Sequence, residues 1–327
     1  MVWRTRMPHN GKSSNKSMGI SDEYPSETEV EAYWLEALSE VPKDPEPIEK
    51  RERIAKPNEA YDYHAGLGTW FKFKGVDSQP FWCLWQECPI PGVRRTLVHV
   101  PGYGTETSAH LSLVQAGYHV LHINPRGYNG PDGPGAQNWR EPDGTPQVLF
   151  RNLDKPREYG YRFWFQDAIM AFRWLQKQPR VAKKFGFFGS SQGGGASLIL
   201  ASILSDENVV GAVTADVPFL TNFRMAYSNV NKGAYGIFVS HLPKNGKAFR
   251  KSFYTLGFVD TMLHAPRMKY PVLLTAGQLD DACPPDTIRS LYEVLPHTRA
   301  IVELHGQGHA YTPNFLQLAQ AWFDMYL

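Results

Sequence analysis

Residues 188–195, Phe188-Gly189-Ser190-Ser191-Gln192-Gly193-Gly194-Gly195, place a serine between two glycines in the spacing Gly-x-Ser-x-Gly. A serine hydroxyl attacks a carbonyl efficiently only when a neighbouring base removes its proton. This spacing can present such a hydroxyl on a turn from strand to helix. The turn is so tight that Gly189 and Gly193 must lack side chains, and a helix N-terminus lies beneath the serine. Ser191 is the expected nucleophile. The pentapeptide alone also describes an ordinary glycine-rich turn, so its flanks decide. Residues 184–188 read as a strand and 196–204 as an apolar helix, which together supply the strand, turn and helix that the motif requires.

A nucleophilic serine needs a base, and the base needs a carboxylate that holds it in the right tautomer. On this fold they follow in the order serine, acid, histidine. Residues 271–277 read as a buried strand that runs into Gln278-Leu279-Asp280-Asp281-Ala282-Cys283-Pro284-Pro285, an acid at a strand's C-terminal end. Residues 300–304 form a last strand leading to His305-Gly306-Gln307-Gly308-His309, and 315–326 read as a closing amphipathic helix. His309 is the expected base. His305 and His309 stand four apart, but Gly306 and Gly308 between them argue for a loop rather than a helical metal pair. No metal and no organic cofactor is expected. His99, His119 and His122, in or near apolar strands, read as core or surface residues rather than catalysts. Asp280 and Asp281 are both placed to orient His309, and spacing does not choose between them.

Several linked patterns carry a resemblance. They are the elbow itself, Asp216-Val217-Pro218-Phe219-Leu220 after the next strand, Leu279-Asp280 followed by Cys283-Pro284-Pro285, and a histidine near the C-terminus. From about residue 29 to its end the chain resembles the acetyl xylan esterase and cephalosporin C deacetylase family of α/β-hydrolases. That resemblance implies a triad of Ser191, Asp280 and His309, because the family's acid stands three before the Cys-Pro-Pro. It also implies an oxyanion hole from the backbone N–H groups of Tyr103, in Pro101-Gly102-Tyr103-Gly104, and Gln192. The family's Arg-Gly-Gln-Gly stands here as Arg126-Gly127-Tyr128-Asn129, and the segment 130–145 after it is rich in glycine, proline and asparagine. Arg126 reads as a bracket for the active-site loops. Relatives assemble through this region, which implies a homo-oligomer.

These residues must be positioned by an α/β-hydrolase fold, a mostly parallel central sheet flanked by helices. Residues 1–25 read as a flexible tail and 26–327 as one domain. Val30, Tyr33, Trp34 and Leu38 recur at helical spacing within 29–38, and proline-rich 41–57 follows. Strands are expected near 68–75 and 81–86, joined by a hairpin at 75–79. Strand and helix alternate from residue 96 onward, and the aromatic helix 161–178 reads as core packing. Between about 221 and 268 no strand pattern is clear, and spread aromatics suggest a helical excursion over the active site.

The composition excludes several functions. Lys+Arg of 34 against Asp+Glu of 32 leaves a formal charge of +2, no excess to draw a phosphate backbone, so nucleic acid is not an expected partner. No run approaches the roughly 18 apolar residues of a membrane span, and the basic first residues lead into no apolar signal core, so no membrane partner is expected. Three cysteines without metal spacing, Cys83, Cys88 and Cys283, fit a reducing, cytoplasmic setting. The chain therefore reads as a serine carboxylester hydrolase removing small acyl groups from a small-molecule or carbohydrate ester. Tyr103, Pro218 and Phe219 are expected to wall off the acyl side. A prolyl oligopeptidase type of peptidase shares fold and triad but usually carries a large accessory domain, which nothing before Tyr61 is long enough to form. An inactive hydrolase-fold binding protein is disfavoured by the intact serine, acid and histidine.

Overall fold

A computed structural model describes residues 24–54, 67–104, 110–128, 130–131, 137–140, 147–229, 233–244, 246–309 and 314–327. The expected tail lies almost wholly outside these residues, as does most of the glycine- and proline-rich segment. In chain order the elements are α1 (Glu27–Glu40), β1 (Glu49–Ile54), β2 (Leu67–Lys74), β3 (Pro80–Gln86), β4 (Arg94–Val100), α2 (Leu111–Gln115) and β5 (His119–Ile123). Then come α3 (Gly160–Leu175), β6 (Val181–Ser190), α4 (Gln192–Ile203), β7 (Val210–Asp216), α5 (Phe223–Asn229), α6 (Gly233–His241) and α7 (Gly246–Gly257). The chain closes with α8 (Thr261–His264), β8 (Val272–Gly277), α9 (Pro285–Val294), β9 (Arg299–Leu304) and α10 (Phe315–Tyr326).

The nine strands form one sheet in the order β1-β2-β3-β5-β4-β6-β7-β8-β9. β1, β2 and β3 run antiparallel, and β3 pairs antiparallel with β5. All pairings from β5 to β9 are parallel. Parallel strands need both faces covered, and the sequence shows it: every residue of β5 and of β8 is buried. One face packs on α1, α3, α4 and the helices after β7, including Trp164, Phe165 and Phe172 of α3. Full burial of each such side chain contributes about 1.5–3 kcal/mol. The other face holds Leu97, Val120 and Phe188 under Leu113 of α2 and Phe323 of α10.

The expected hairpin is present. Gly75 N–H donates to Gln79 O at 2.8 Å, and Ser78 takes a left-handed φ of 70°. α1 starts earlier than its apolar pattern, because Ser26 and Glu29 close a capping box. β1 falls in the stretch read as a proline-rich connector. Its sequence, EKRERI, is charged because β1 is the edge strand, where charge discourages pairing with another chain. The stretch between β7 and β8 is helical as expected, carrying α5 to α8. Buried Asp260 pins it by accepting from Asn222 N–H and Phe223 N–H, both at 2.9 Å, and from the Tyr24 hydroxyl at 2.7 Å. Asp260 also caps α8.

Candidate active site

β6 ends at Ser190 and α4 begins at Gln192, so Ser191 alone makes the turn. It does so at φ 54° and ψ −120°, a region that costs a non-glycine residue about 1–3 kcal/mol. The glycines around it are required by close approach. A Cβ on Gly193 would stand 2.0 Å from Val100 O at the end of β4, and one on Gly195 would stand 1.8 Å from Phe219 O. Ser191 N–H donates to Asp216 O at 2.8 Å, and Phe219 N–H donates to Ser191 O at 2.9 Å, which fixes the strained residue from both sides. The next turn is strained as well: Val217, a β-branched residue, has φ 37°.

The neighbouring serine is occupied elsewhere. Ser190 Oγ donates to Asp216 Oδ2 at 2.9 Å, and Thr275 Oγ1 donates to Asp216 Oδ1 at 2.6 Å. Val217 N–H in turn donates to Thr275 Oγ1 at 2.9 Å. One buried carboxylate thus bolts together the C-terminal ends of β6, β7 and β8. This role of Asp216 was not read from the sequence, although the residue opens the Asp-Val-Pro-Phe-Leu pattern.

Ser191 Oγ lies 3.1 Å from His309 Nε2, and His309 Nδ1 lies 2.8 Å from Asp280 Oδ2. An ionised carboxylate only accepts, so Nδ1 carries the proton and Nε2 is free to accept from Ser191. Asp280 is buried, and its second oxygen accepts Ala282 N–H at 2.9 Å and Cys283 N–H at 2.7 Å. Asp281 is exposed. Burial of His309 by itself lowers its pKa, but the hydrogen bond and charge of Asp280 outweigh it, and the pKa ends above the usual value. Burial, with the Asp280 charge, pushes the neighbouring Cys283 thiol up, which keeps it protonated. The structure therefore joins all three residues expected as a triad.

Tyr103 and Gln192 come from the two segments that meet at the elbow. The contact of Gly193 with Val100 and Pro101 sets the loop after β4 against the first turn of α4. The Gln192 side chain is buried: Tyr161 Oη donates to its Oε1 and its Nε2 donates to Tyr128 Oη, both at 2.9 Å. Phe219 is 3 % exposed, with its ring against Tyr235 and Phe223, and Pro218 is buried beside it. The Phe219 ring thus lies in the core, while its backbone meets the elbow at Ser191 O and Gly195.

Arg126 has no exposed side-chain surface. Its guanidinium meets Asp167 in two bonds of 2.5 and 2.7 Å and Asp77 at 2.5 Å, and lies over the rings of Trp139 and Phe163. The partners come from the β2–β3 turn, the segment at Trp139 and α3, so the residue braces segments beyond its own turn. Burial raises the Asp167 carboxyl to about 6 despite the opposing Arg126 charge.

A second cluster lies near the elbow strand. His122 Nε2 is 2.6 Å from Gln86 Oε1 and its Nδ1 is 3.0 Å from His99 Nδ1, with His110 stacked nearby. Burial, then the charges of neighbouring histidines, holds His99 and His122 well below the usual histidine range.

A parallel sheet with an antiparallel first edge, a nucleophile elbow and a Ser–His–Asp hydrogen-bond chain define an α/β-hydrolase. The sequence matches the acetyl xylan esterase (AXE1) family over residues 20–326, and the chain belongs to that family. It is a serine carboxylester hydrolase that removes acetyl groups from carbohydrate esters. Among solved structures it is similar to acetyl xylan esterase 1 from Thermoanaerobacterium sp. JW/SL YS485 at TM-score 0.76 and 23 % identity, covering 93 % of this chain and 95 % of that one. An acetyl xylan esterase from Paenibacillus sp. R4 is similar at TM-score 0.75 and 21 % identity, covering 94 % and 98 %. The acylaminoacyl peptidase of Pyrococcus horikoshii matches at TM-score 0.54 and 17 % identity over 79 % of this chain but 39 % of that one. No helix among the described residues is long and apolar enough to cross a membrane.

Proposed function

We propose that Ser191, His309 and Asp280 are the catalytic triad and that deacetylation runs through an acetyl-enzyme. Ser191 Oγ attacks the acetyl carbonyl while its proton passes to His309 Nε2. The imidazolium is held by the Asp280 carboxylate, and the oxyanion accepts from the N–H groups of Tyr103 and Gln192. Collapse of the tetrahedral intermediate breaks the ester C–O bond, and the leaving alcohol takes the proton from His309. A water then repeats the sequence on the acetyl-enzyme, releasing acetate and restoring Ser191. The observation that carries this reading is the unbroken chain from Ser191 Oγ through His309 to Asp280, at 3.1 and 2.8 Å.

The substrate side follows the same reading. Tyr103 and Pro218, with Phe219 behind, bound a shallow acyl site that suits acetyl, and no nucleic acid is engaged. A closed homo-oligomer would narrow access to small or chain-end carbohydrate esters. A stable monomer mass by light scattering at micromolar concentration would contradict that assembly. The three buried free thiols support a reducing, cytoplasmic compartment. Acetate release measured across acetylated monosaccharides and oligosaccharides, acetylated xylan and cephalosporin C tests the substrate class. Release from small acetylated sugars is expected, and release from none of these esters would overturn the reading.

A further inference from the structure

Three partners of the Tyr128 hydroxyl lie within the two segments expected to form the oxyanion hole. Gly104 N–H donates to Tyr128 Oη at 2.7 Å, and Gln192 Nε2 donates to it at 2.9 Å. The Gln192 amide cannot turn round, because Tyr161 Oη donates to its oxygen at 2.9 Å. Burial keeps Tyr161 protonated as that donor. With its two acceptor sites so occupied, Tyr128 has one proton left to donate, and it points to Gly102 O at 3.2 Å.

Gly102 C=O and Tyr103 N–H belong to one peptide unit. In a trans peptide these two groups point in opposite directions, and no cis bond occurs here. Holding the carbonyl on the Tyr128 side therefore aims the Tyr103 N–H the other way. The need for a hold is clear from the loop: Tyr103 stands between two glycines, and Gly104 sits at φ 68°. Glycine resists a peptide rotation least of all residues.

We propose that Tyr128 is a positioning residue that locks the Gly102–Tyr103 peptide in the orientation the oxyanion needs, while the same hydroxyl ties that loop to Gln192, the other donor residue. This rests on the esterase reading of the site and adds to it a reason for the tyrosine in Arg126-Gly127-Tyr128-Asn129. Tyr128 bonds to the loop after β4 and to Gln192. It acts through Tyr103, and its ring is 5 % exposed.

Tyr128→Phe keeps the ring and removes only the hydroxyl. Loss of one oxyanion donor outright costs about 10²–10³ in kcat, so loosening one is expected to cost on the order of 10- to 100-fold. The readouts are kcat and KM on nitrophenyl acetate and the rate at which a nitrophenyl phosphonate modifies Ser191, whose attack also develops an oxyanion. We expect kcat and the phosphonylation rate to fall together, with KM within about twofold and the melting temperature nearly unchanged. A phosphonylation rate within threefold of wild type, or a loss confined to KM, overturns the lock. Should Tyr128→Phe fail to fold, Tyr161→Phe reads the same network from its outer end. It releases the Gln192 amide, and a phosphonylation rate identical to wild type would overturn the proposal. A wild-type protein that reacts with phosphonate but releases no acetate from acetylated sugars would sink the substrate reading instead, and the variant-to-wild-type ratio would still judge the lock.

Discussion

Replacing Asp280 by asparagine removes one charge and exchanges one oxygen for an NH₂ group, and the surrounding bonds dictate where that group goes. Oδ1 of Asp280 accepts two backbone N–H groups, from Ala282 and Cys283. An NH₂ in that position would face two donors, each unpaired contact costing about 1–3 kcal/mol. The amide must therefore keep its oxygen there and turn its NH₂ toward His309 Nδ1. A donor facing Nδ1 selects the imidazole tautomer with the proton on Nε2, the atom 3.1 Å from Ser191 Oγ. That nitrogen can no longer accept the serine proton. The corresponding change in a serine protease costs about 10⁴ in kcat, or about 5.4 kcal/mol of barrier. Exposed Asp281 makes no such contact, and Asp281→Asn is expected to cost less than about threefold. Steady-state kcat on nitrophenyl acetate compares the two variants directly. If Asp281→Asn proves the more damaging, or if Asp280→Asn keeps more than about one hundredth of wild-type kcat, the reasoning is refuted.

The pH dependence of kcat/KM should show an acid limb above about 6.5, because Asp280 raises the His309 pKa and the base must be neutral to act. A limb below that value would mean Asp280 does not pair with His309 in the free enzyme. On nitrophenyl esters kcat/KM should fall from acetate to butyrate and be very small by octanoate. Each methylene that found an apolar pocket would instead gain about 0.8 kcal/mol, so a rise with chain length contradicts a shallow acyl site. His122 adds a stability effect whose sign follows from its depressed pKa. The unfolded chain takes up the proton near pH 6.5 while the folded one does not, so stability falls as pH drops below that point. In urea unfolding, His122→Gln should reduce the wild-type loss by about 1.4 kcal/mol per pH unit below pH 6, and an unchanged slope would show that His122 titrates normally.

The residues that carry the chemistry were legible where backbone geometry leaves one choice of residue. Gly193 meets Val100 O so closely that only glycine fits, and this is why the elbow stands out in the sequence. α10 begins and ends where its apolar period does, because one stripe packs on Phe188 and the other face meets solvent. Asp280 and Asp281 could not be separated by spacing, since the difference lies in a turn that sets Asp280 Oδ1 over two N–H groups and leaves its neighbour exposed. Edge strand β1 was hidden by the charges that suit an edge. The Asp216 bolt and the Tyr128 hydroxyl were also hidden. Each joins residues from separate elements, Ser190 with Thr275 and Gly102 with Gln192, and no local period marks such a contact.

The central claim is that Ser191, rather than Ser190, forms the covalent intermediate. Ser190 Oγ donates to buried Asp216, whereas Ser191 Oγ faces His309 Nε2. The direct measurement is mass-spectrometric location of an organophosphonate adduct on the active enzyme, paired with turnover of Ser191→Ala. The account predicts the adduct on Ser191 and a loss of at least about 10⁴-fold in a normally folded variant. An adduct on Ser190, or acetate release retained by Ser191→Ala, would contradict it.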